Sequence, residues 1–480
     1  MRLPAYPNYK PSGVEWLGDV PEYWHTKRLK GAATYWVSNV DTVPADDEVP
    51  VRLCNYTDVY YHDHVSPGMG LMETTATPDE IRRFGLKVGD VVMTKDSEEW
   101  SDIAVPALVV ESAPDLVCGY HLAIVRSNEQ VLIGRFLLRA FQACAVNQQF
   151  QVAATGVTRY GLPKSAIGEA WLPLPSPVEQ CAIADFLDRE TVKIDTLVAK
   201  KRTLIDRLKE KRTALISRTV TRGLSPDAAR AAGLDPHPKL KPSGIDWLGD
   251  VPEHWDLQKL GHISTVVRGA SPRPAGDQRY FDGDFIPWIT VGELTKDSTL
   301  YLTSTETMLT FEGAALSRMM SQGTLVLTNS GATLGVPKVL AISGCANDGV
   351  VAFEHLRRDA NSLYLFYFLA SITDNLRDRV RQGSGQPNLN TDIVRALVAP
   401  FPPASEQRAI VEYLVSKTAE IDGMIAKVET AIERLHEYRT ALITAAVTGK
   451  IDVRGEALTA TVNHGKPDRV VSGVDHGRER

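Results

Sequence analysis

Two stretches of this chain carry a helical pattern much longer than any other in it. Residues 179–221 run without Pro or Gly, and residues 405–448 contain only Gly423. In the first stretch, apolar residues recur three and four apart at Ile194, Leu197, Leu204, Leu208 and Leu215, with Val198, Ile205 and Ile216 beside them. In the second the series is Ile421, Met424, Val428, Ala431, Leu435, Tyr438 and Leu442, flanked by Ile425, Ile432 and Ile443. Such spacing over many turns predicts a coiled-coil seam broader than a strict a/d stripe. At roughly 1.5 Å per residue each helix would reach about 65 Å, and a stripe of that length needs a partner. Between these stretches the pattern changes. Short β-rich runs, VGDVVMT (88–94) and LVLTN (325–329), end in polar turns. Helical segments such as IGRFLLRAFQACAVNQQF and NSLYLFYFLASITDNLRDRVRQ follow them, which predicts compact α+β domains rather than barrels.

The chain is written twice. KPSGVEWLGDVPEYWHTKRL (10–29) and KPSGIDWLGDVPEHWDLQKL (241–260) agree at 13 of 20 positions. Residues 179–221 and 406–448 agree at 22 of 43, while the segments between show almost no similarity. A period near 230 residues is too long for a solenoid repeat, so each copy is domain-sized. Like ends and unlike middles suggest a shared mechanical frame carrying two different recognition surfaces. The resulting division is a first recognition domain at 1–174, a helix at 175–222 and a linker at 223–240. A second recognition domain at 241–401, a second helix at 402–453 and a polar tail at 454–480 complete it.

Charge indicates which helices pair. Residues 193–222 hold ten basic and three acidic side chains, and residues 420–450 hold four basic and five acidic. Two copies of the first helix would repel, so the expectation is that the first pairs with the second, antiparallel and with pseudo-twofold symmetry. The seam expected is Ile194, Leu197, Leu204, Leu208 and Leu215 against Ile421, Val428, Leu435 and Leu442.

Composition adds limits. The net charge is −6, so any nucleic-acid binding would use local patches or a basic partner. Five cysteines without CxxC spacing suit a reducing compartment. With neither a signal-like start nor a membrane-length apolar run, the expectation is a cytoplasmic protein with no membrane association.

The PSGxxWLGDVPExW opening, the LPLPSPVEQ and FPPASEQ approaches to the long helices, and RTALI…VT near their ends occur once per half. Together they resemble the specificity subunits of type I restriction-modification systems, over residues 7–453. The resemblance implies a chain that is not itself an enzyme, in which each half reads one part of a split double-stranded DNA site. It further implies that the helices dock two modification (methyltransferase) subunits, and that restriction (motor-nuclease) subunits join them. S-adenosylmethionine, ATP and Mg would then belong to those partners, with no cofactor or metal held by this chain. The alternatives are an interaction scaffold that binds no DNA, and a degenerate homologue that has lost its partners.

The sequence lacks the common catalytic strings, as expected of a non-catalytic chain. Phe401-Pro402-Pro403 lacks the leading amide or acid and trailing aromatic of an adenine-methylating loop. GxxxxGK[ST], HExxH and GxSxG are absent. Gly68-Met69-Gly70 reads as a turn, and His62 and His64 read as an exposed polar loop rather than metal ligands.

DNA-contact candidates lie in the divergent middles. Gly156–Leu162 aligns with Gly383–Leu389, with polar residues changing inside a Gly…Leu frame. Arg suits guanine, and Gln and Asn suit adenine, in the major groove. Arg159 and Tyr160 are therefore candidates in the first half, and Gln386, Asn388 and Asn390 in the second. Thr94, Lys95 and Ser97 follow the first β-run; Asn329, Ser330 and Lys338 follow the second. Arg377, Arg379 and Arg381 form a candidate phosphate patch. Against these stands the region 36–115, with sixteen acidic and five basic residues. It is expected to face solvent or a protein partner.

Overall fold

The repeated opening motif folds as a small hairpin above a buried indole. Tyr9–Pro11 pairs antiparallel with Asp19–Pro21, and Leu240–Pro242 with Asp250–Pro252. Gly13, Gly18, Gly244 and Gly249 take positive φ there, which accounts for their repetition. Trp24 and Trp255 are fully buried. The next strand closes each domain on itself: His25–Arg28 pairs with Trp171–Leu174, and Asp256–Lys259 with Val398–Phe401. Each recognition domain therefore ends beside its own beginning, just before its long helix.

The computed structural model describes residues 3–331, 333–381 and 389–456, with backbone alone at 379–381. Two units emerge, one of Met1–Lys201 with Thr430–Arg480 and one of Arg202–Glu429. In the first unit, β1 (Ala33–Val37), β2 (His64–Val65), β3 (Val91–Thr94), β4 (Pro106–Val109) and β5 (Leu122–Ser127) form a sheet of order β1-β5-β3-β4-β2. In the second, β6 (Thr265–Arg268), β7 (Tyr301–Leu302), β8 (Leu325–Thr328), β9 (Pro337–Leu340) and β10 (Val350–Glu354) repeat it as β6-β10-β8-β9-β7. A smaller sheet accompanies each, built on Val49–Cys54 in one and Phe281–Ile289 in the other. Both β3 and β8 are buried along their whole length. That explains why they read as continuous apolar runs rather than alternating ones.

The long helices are α1 (Pro177–Arg222) and α2 (Ala404–Val447), and each contributes to both units. Within the first unit, Ile194 and Val198 of α1 share a core with Leu442, Ile443, Ala446 and Val447 of α2. Within the second, Ile216 and Val220 of α1 share a core with Ile410, Val411 and Leu414 of α2. Early residues of one helix meet late residues of the other in each case, so the pair is antiparallel. Ion pairs fix the register: Arg439 Nε lies 3.2 Å from Asp195 Oδ1, and Arg212 Nε lies 2.9 Å from Asp422 Oδ1. Positions 212 and 439 are equivalent in the repeat, as are 195 and 422, so each helix offers the same arginine to the same aspartate of the other.

The seam differs from the leucine stripe expected. Ile194, Val198, Ile205 and Ile216 are buried, whereas Leu197 and Leu204 are 43% and 44% exposed. Leu208 and Leu215 are half-buried. A step of one residue turns about 100° around a helix, and a two-helix contact covers only a narrow wedge. The β-branched residues occupy that wedge and the leucines flank it. On α2, Ile421 and Leu442 are buried while Val428 and Leu435 are half-buried. The stretch expected as a plain linker contains a short helix, Pro226–Ala231.

One glutamine per half explains the shared EQ before each helix. Gln180 Oε1 accepts from Ile133 N at 2.8 Å, and its Nε2 donates to Val131 O at 2.8 Å and Pro175 O at 3.0 Å. Gln407 Oε1 accepts from Asn361 N at 2.8 Å, and its Nε2 donates to Asp359 O at 3.0 Å and Pro402 O at 2.8 Å. Both side chains are fully buried. Each welds the first turn of a long helix to the loop before a domain helix.

Candidate nucleic-acid interface

The same three backbone segments converge at one pole of each recognition domain. In the first, Lys95 N donates to His121 O at 2.9 Å and Leu162 N donates to Lys95 O at 2.8 Å. In the second, Asn329 N donates to Gly349 O at 2.9 Å and Leu389 N donates to Asn329 O at 2.8 Å. Hydroxyls close the loop that follows the central strand. Thr94 Oγ1 donates to Asp102 O and accepts from Val105 N, both at 2.9 Å. Thr328 Oγ1 donates to Thr333 O at 2.6 Å and accepts from Val336 N at 2.9 Å. The frame is thus common to both poles, while the loop it closes is longer in the first and the side chains it presents differ.

In the first pole the structure brings together candidates that are far apart in sequence. Tyr160–Gly161 pairs with Asp96–Ser97, which sets Arg159 beside the loop after β3. The exposed Arg159 guanidinium lies 2.9 Å from His121 Nε2, and His121 Nδ1 lies 3.0 Å from Asp96 Oδ2. Lys95 Nζ donates to Asp96 at 2.6 Å. Burial pushes the Asp96 carboxyl up, but hydrogen bonds from His121 and Lys95 outweigh it and hold the group below the usual carboxylate range. Thr94 is fully buried and spends its hydroxyl on the loop, so it offers nothing to DNA.

The second pole corrects more of the candidates. Asn329 is fully buried, with its Nδ2 donating to Asp348 O at 3.2 Å. Lys338 is equally inaccessible at 2% side-chain exposure; its Nζ pairs with Asp297 and donates to Thr299 Oγ1 at 2.9 Å. That partnership, led by the Lys338 hydrogen bond, holds Asp297 well below the ordinary carboxylate range. Neither Asn329 nor Lys338 can reach a base. Asn390 Oδ1 accepts from Ile393 N at 2.8 Å and caps the helix Thr391–Ala396, which accounts for its place in the sequence. Ser330 is half-buried. Arg377 Nε donates to Leu334 O at 2.9 Å, tying the helix Thr373–Arg381 to the loop after β8. Gln386 and Asn388 lie outside the described residues, as do the side chains of Arg379 and Arg381.

Sequence reasoning missed a basic cluster around Asp348. Arg268 Nε donates to Asp348 O at 2.5 Å, Arg273 Nη2 lies 3.2 Å from Asp348 Oδ2, and Ser271 Oγ donates to Asp348 Oδ1 at 2.7 Å. Arg273 remains largely exposed. The string RGASPRP (268–274) reads as a turn, and only the fold carries it to the pole.

The acidic region 36–115 is partly neutralised from within. Asp90 pairs with Arg126 at 2.6 Å, Asp115 with Arg52 at 2.7 Å and Asp63 with Arg439 at 2.5 Å. Its remainder does not simply face away, because Asp96, Glu98, Glu99 and Asp102 line a cleft with Arg159. Among the described residues, no group of three His, Cys, Asp or Glu is arranged to hold a metal, and His62 Nδ1 lies 3.1 Å from Asp58 O. No described helix is long and apolar enough to cross a membrane.

Comparison with known proteins agrees with this architecture. Residues 252–434 match the family described as Type I restriction modification DNA specificity domain. The putative type I restriction enzyme MjaX specificity subunit of Methanocaldococcus jannaschii is 20% identical over 447 residues, covering 91% of this chain and 96% of that one. The MjaIX specificity subunit of the same organism is 28% identical over 173 residues, covering 35% of this chain and 38% of its own. A solved chain from "Structural basis underlying complex assembly and conformational transition of the type I R-M system" shares the fold, with a TM-score of 0.62 and 17% identity over 90% of this chain and 99% of that one. With its two like domains, its paired long helices and a relative matched along nearly its whole length, the chain is similar to the specificity subunits of type I restriction-modification systems.

Proposed function

We propose that this chain reads a split DNA site, one part per recognition domain, and holds modification subunits in position to methylate it. The observation that carries this reading is the pair of poles, alike in backbone hydrogen bonding and unlike in side chains. Two different readers in one chain suit two base sets in one site, because accessible major-groove faces recur about every 34 Å. The paired helices act as the ruler, and their outer faces dock two modification subunits. Restriction subunits join that assembly. S-adenosylmethionine, ATP and Mg serve the partners, and the complex works in the cytoplasm.

The test is to reconstitute the chain with its modification subunits and map methylated sites by single-molecule sequencing. The expected product is one bipartite site with an unread gap. A contiguous site, or methylation without sequence preference, overturns the reading. Binding indifferent to salt would favour a protein scaffold instead, since phosphate contacts weaken steeply as salt rises.

A further inference from the structure

The loop after the central strand carries carboxylates in the first pole and none in the second. In the first, loop 95–102 holds Asp96, Glu98, Glu99 and Asp102, whereas the matching loop 329–336 contains no acid. These acids line a cleft of about 500 Å³, walled by Tyr56, Tyr60 and Tyr61 and closed by His121 and Arg159. The tyrosines are ordered, with Tyr56 and Tyr60 stacked at 5.5 Å between ring centroids. Tyr60 Oη donates to Asp102 Oδ2 at 3.0 Å and Tyr56 Oη to Ser97 Oγ at 3.3 Å. Asp96 is held by Lys95 and His121. Two of the four acids are therefore occupied by the protein. Glu98 and Glu99 are exposed, and their carboxylates have no hydrogen bond or ion pair within the described chain.

We propose that Glu98 and Glu99 make the first half-site selective for a base that shows an exocyclic amino group in the major groove, next to a contact made by Arg159. An ionised carboxylate only accepts hydrogen bonds. Cytosine N4 and adenine N6 donate at the major-groove edge, whereas thymine O4 and guanine O6 present another acceptor. The carboxylates thus attract the amino bases and repel the keto bases, so selectivity comes from both signs. Arg159, with donors only, takes the complementary role toward guanine in the same cleft. The cations Lys95 and Arg159 within the loop frame offset the repulsion that bare acids would suffer near phosphate. The loop 329–336 of the second pole has no such acids, and Arg268 and Arg273 gather beside it on Asp348, so the two half-sites are read by different side chains.

The inference rests on the DNA-reading function proposed above, and its test separates the two. The complex of this chain with its modification subunits is titrated with duplexes of its mapped site. Each cytosine or adenine of the first half-site is replaced in turn by an analogue lacking the amino group, 2-pyrimidinone or purine. At one position the loss should weaken binding about 5- to 150-fold. Loss with 2-pyrimidinone identifies cytosine, and loss with purine identifies adenine. The double variant Glu98→Gln/Glu99→Gln should remove that penalty and admit keto bases there, with discrimination at the second half-site unchanged. The inference is overturned if no first-half analogue weakens binding, or if the variant keeps full discrimination in the first half. It is equally overturned if the variant's loss falls on the second half. A wild-type complex without sequence preference at either half-site refutes the DNA-reading function itself. The analogue series uses the unmodified protein and so does not depend on the variant's folding.

Discussion

Replacing Gln180 with Ala should loosen the joint between α1 and the first recognition domain by a calculable amount. The side chain makes three hydrogen bonds to backbone groups at 2.8, 2.8 and 3.0 Å and is fully buried. A net value near 1 kcal/mol for each gives a loss of about 3 kcal/mol, since alanine leaves one N–H and two carbonyls unpaired away from water. The Ile133 amide reports this directly, because among the described residues it donates to the Gln180 side-chain oxygen. Its hydrogen exchange should quicken about 150-fold when opening costs about 3 kcal/mol less. Gln180→Glu keeps the acceptor but loses both donated bonds and buries a charge, so it should be no better than alanine. Gln407→Ala should have the same effect on the Asn361 amide and none on Ile133. Exchange at Ile133 rising less than about fivefold, a change below about 1 kcal/mol, would refute the claim that this glutamine welds helix to domain.

Other consequences are open to measurement. Arg139, only 2% exposed, pairs with Asp188 at 2.8 Å, and burial of Asp188 is outweighed by hydrogen bonds from Arg135 and Arg139 that lower its carboxyl. A depressed folded value means the stabilisation is complete above the unfolded carboxylate value near ~4 and is lost as pH falls below it. Asp188→Asn should therefore flatten the acid limb of a stability–pH curve, and an unchanged limb would deny the pair that role. Trp24→Ala should cost about 3–5 kcal/mol by opening a cavity in the first unit, read as a lowered unfolding midpoint in denaturant. Arg273→Ala should weaken binding of the assembled complex to specific and non-specific DNA alike and reduce the salt slope by about 1. A change in sequence preference would instead make Arg273 a base reader.

The frame was readable in the sequence because it repeats and because its demands are local. Glycine at positive φ, a glutamine at the head of a helix and apolar residues three and four apart each leave a mark within a few positions. The duplicated ends predicted paired antiparallel helices, and the structure has them. The seam itself was misjudged by one residue, since leucines at 197 and 204 have the right spacing but not the right face. Contact residues were harder to find because a strand-end position looks polar whether it reads DNA or closes a loop. Thr94, Asn329 and Asn390 close turns or cap helices, and Lys338 neutralises Asp297 in the interior. The cluster of Arg268 and Arg273 on Asp348 joins positions about 80 residues apart, and no local signal connects them.

The arginine–aspartate exchange between α1 and α2 has an evolutionary corollary. Were two separate copies of a single repeat to pair in this way, any change at the contact would be felt at both ends at once, and net charge gained by one helix would be gained equally by its partner. Joining the copies in one polypeptide lifts that constraint, for the end secured by Arg439 can now drift without dragging the end secured by Arg212 along with it. The lopsided charge of the two helices, strongly basic on one and nearly neutral on the other, is a state open to a fused pair but costly for identical twins.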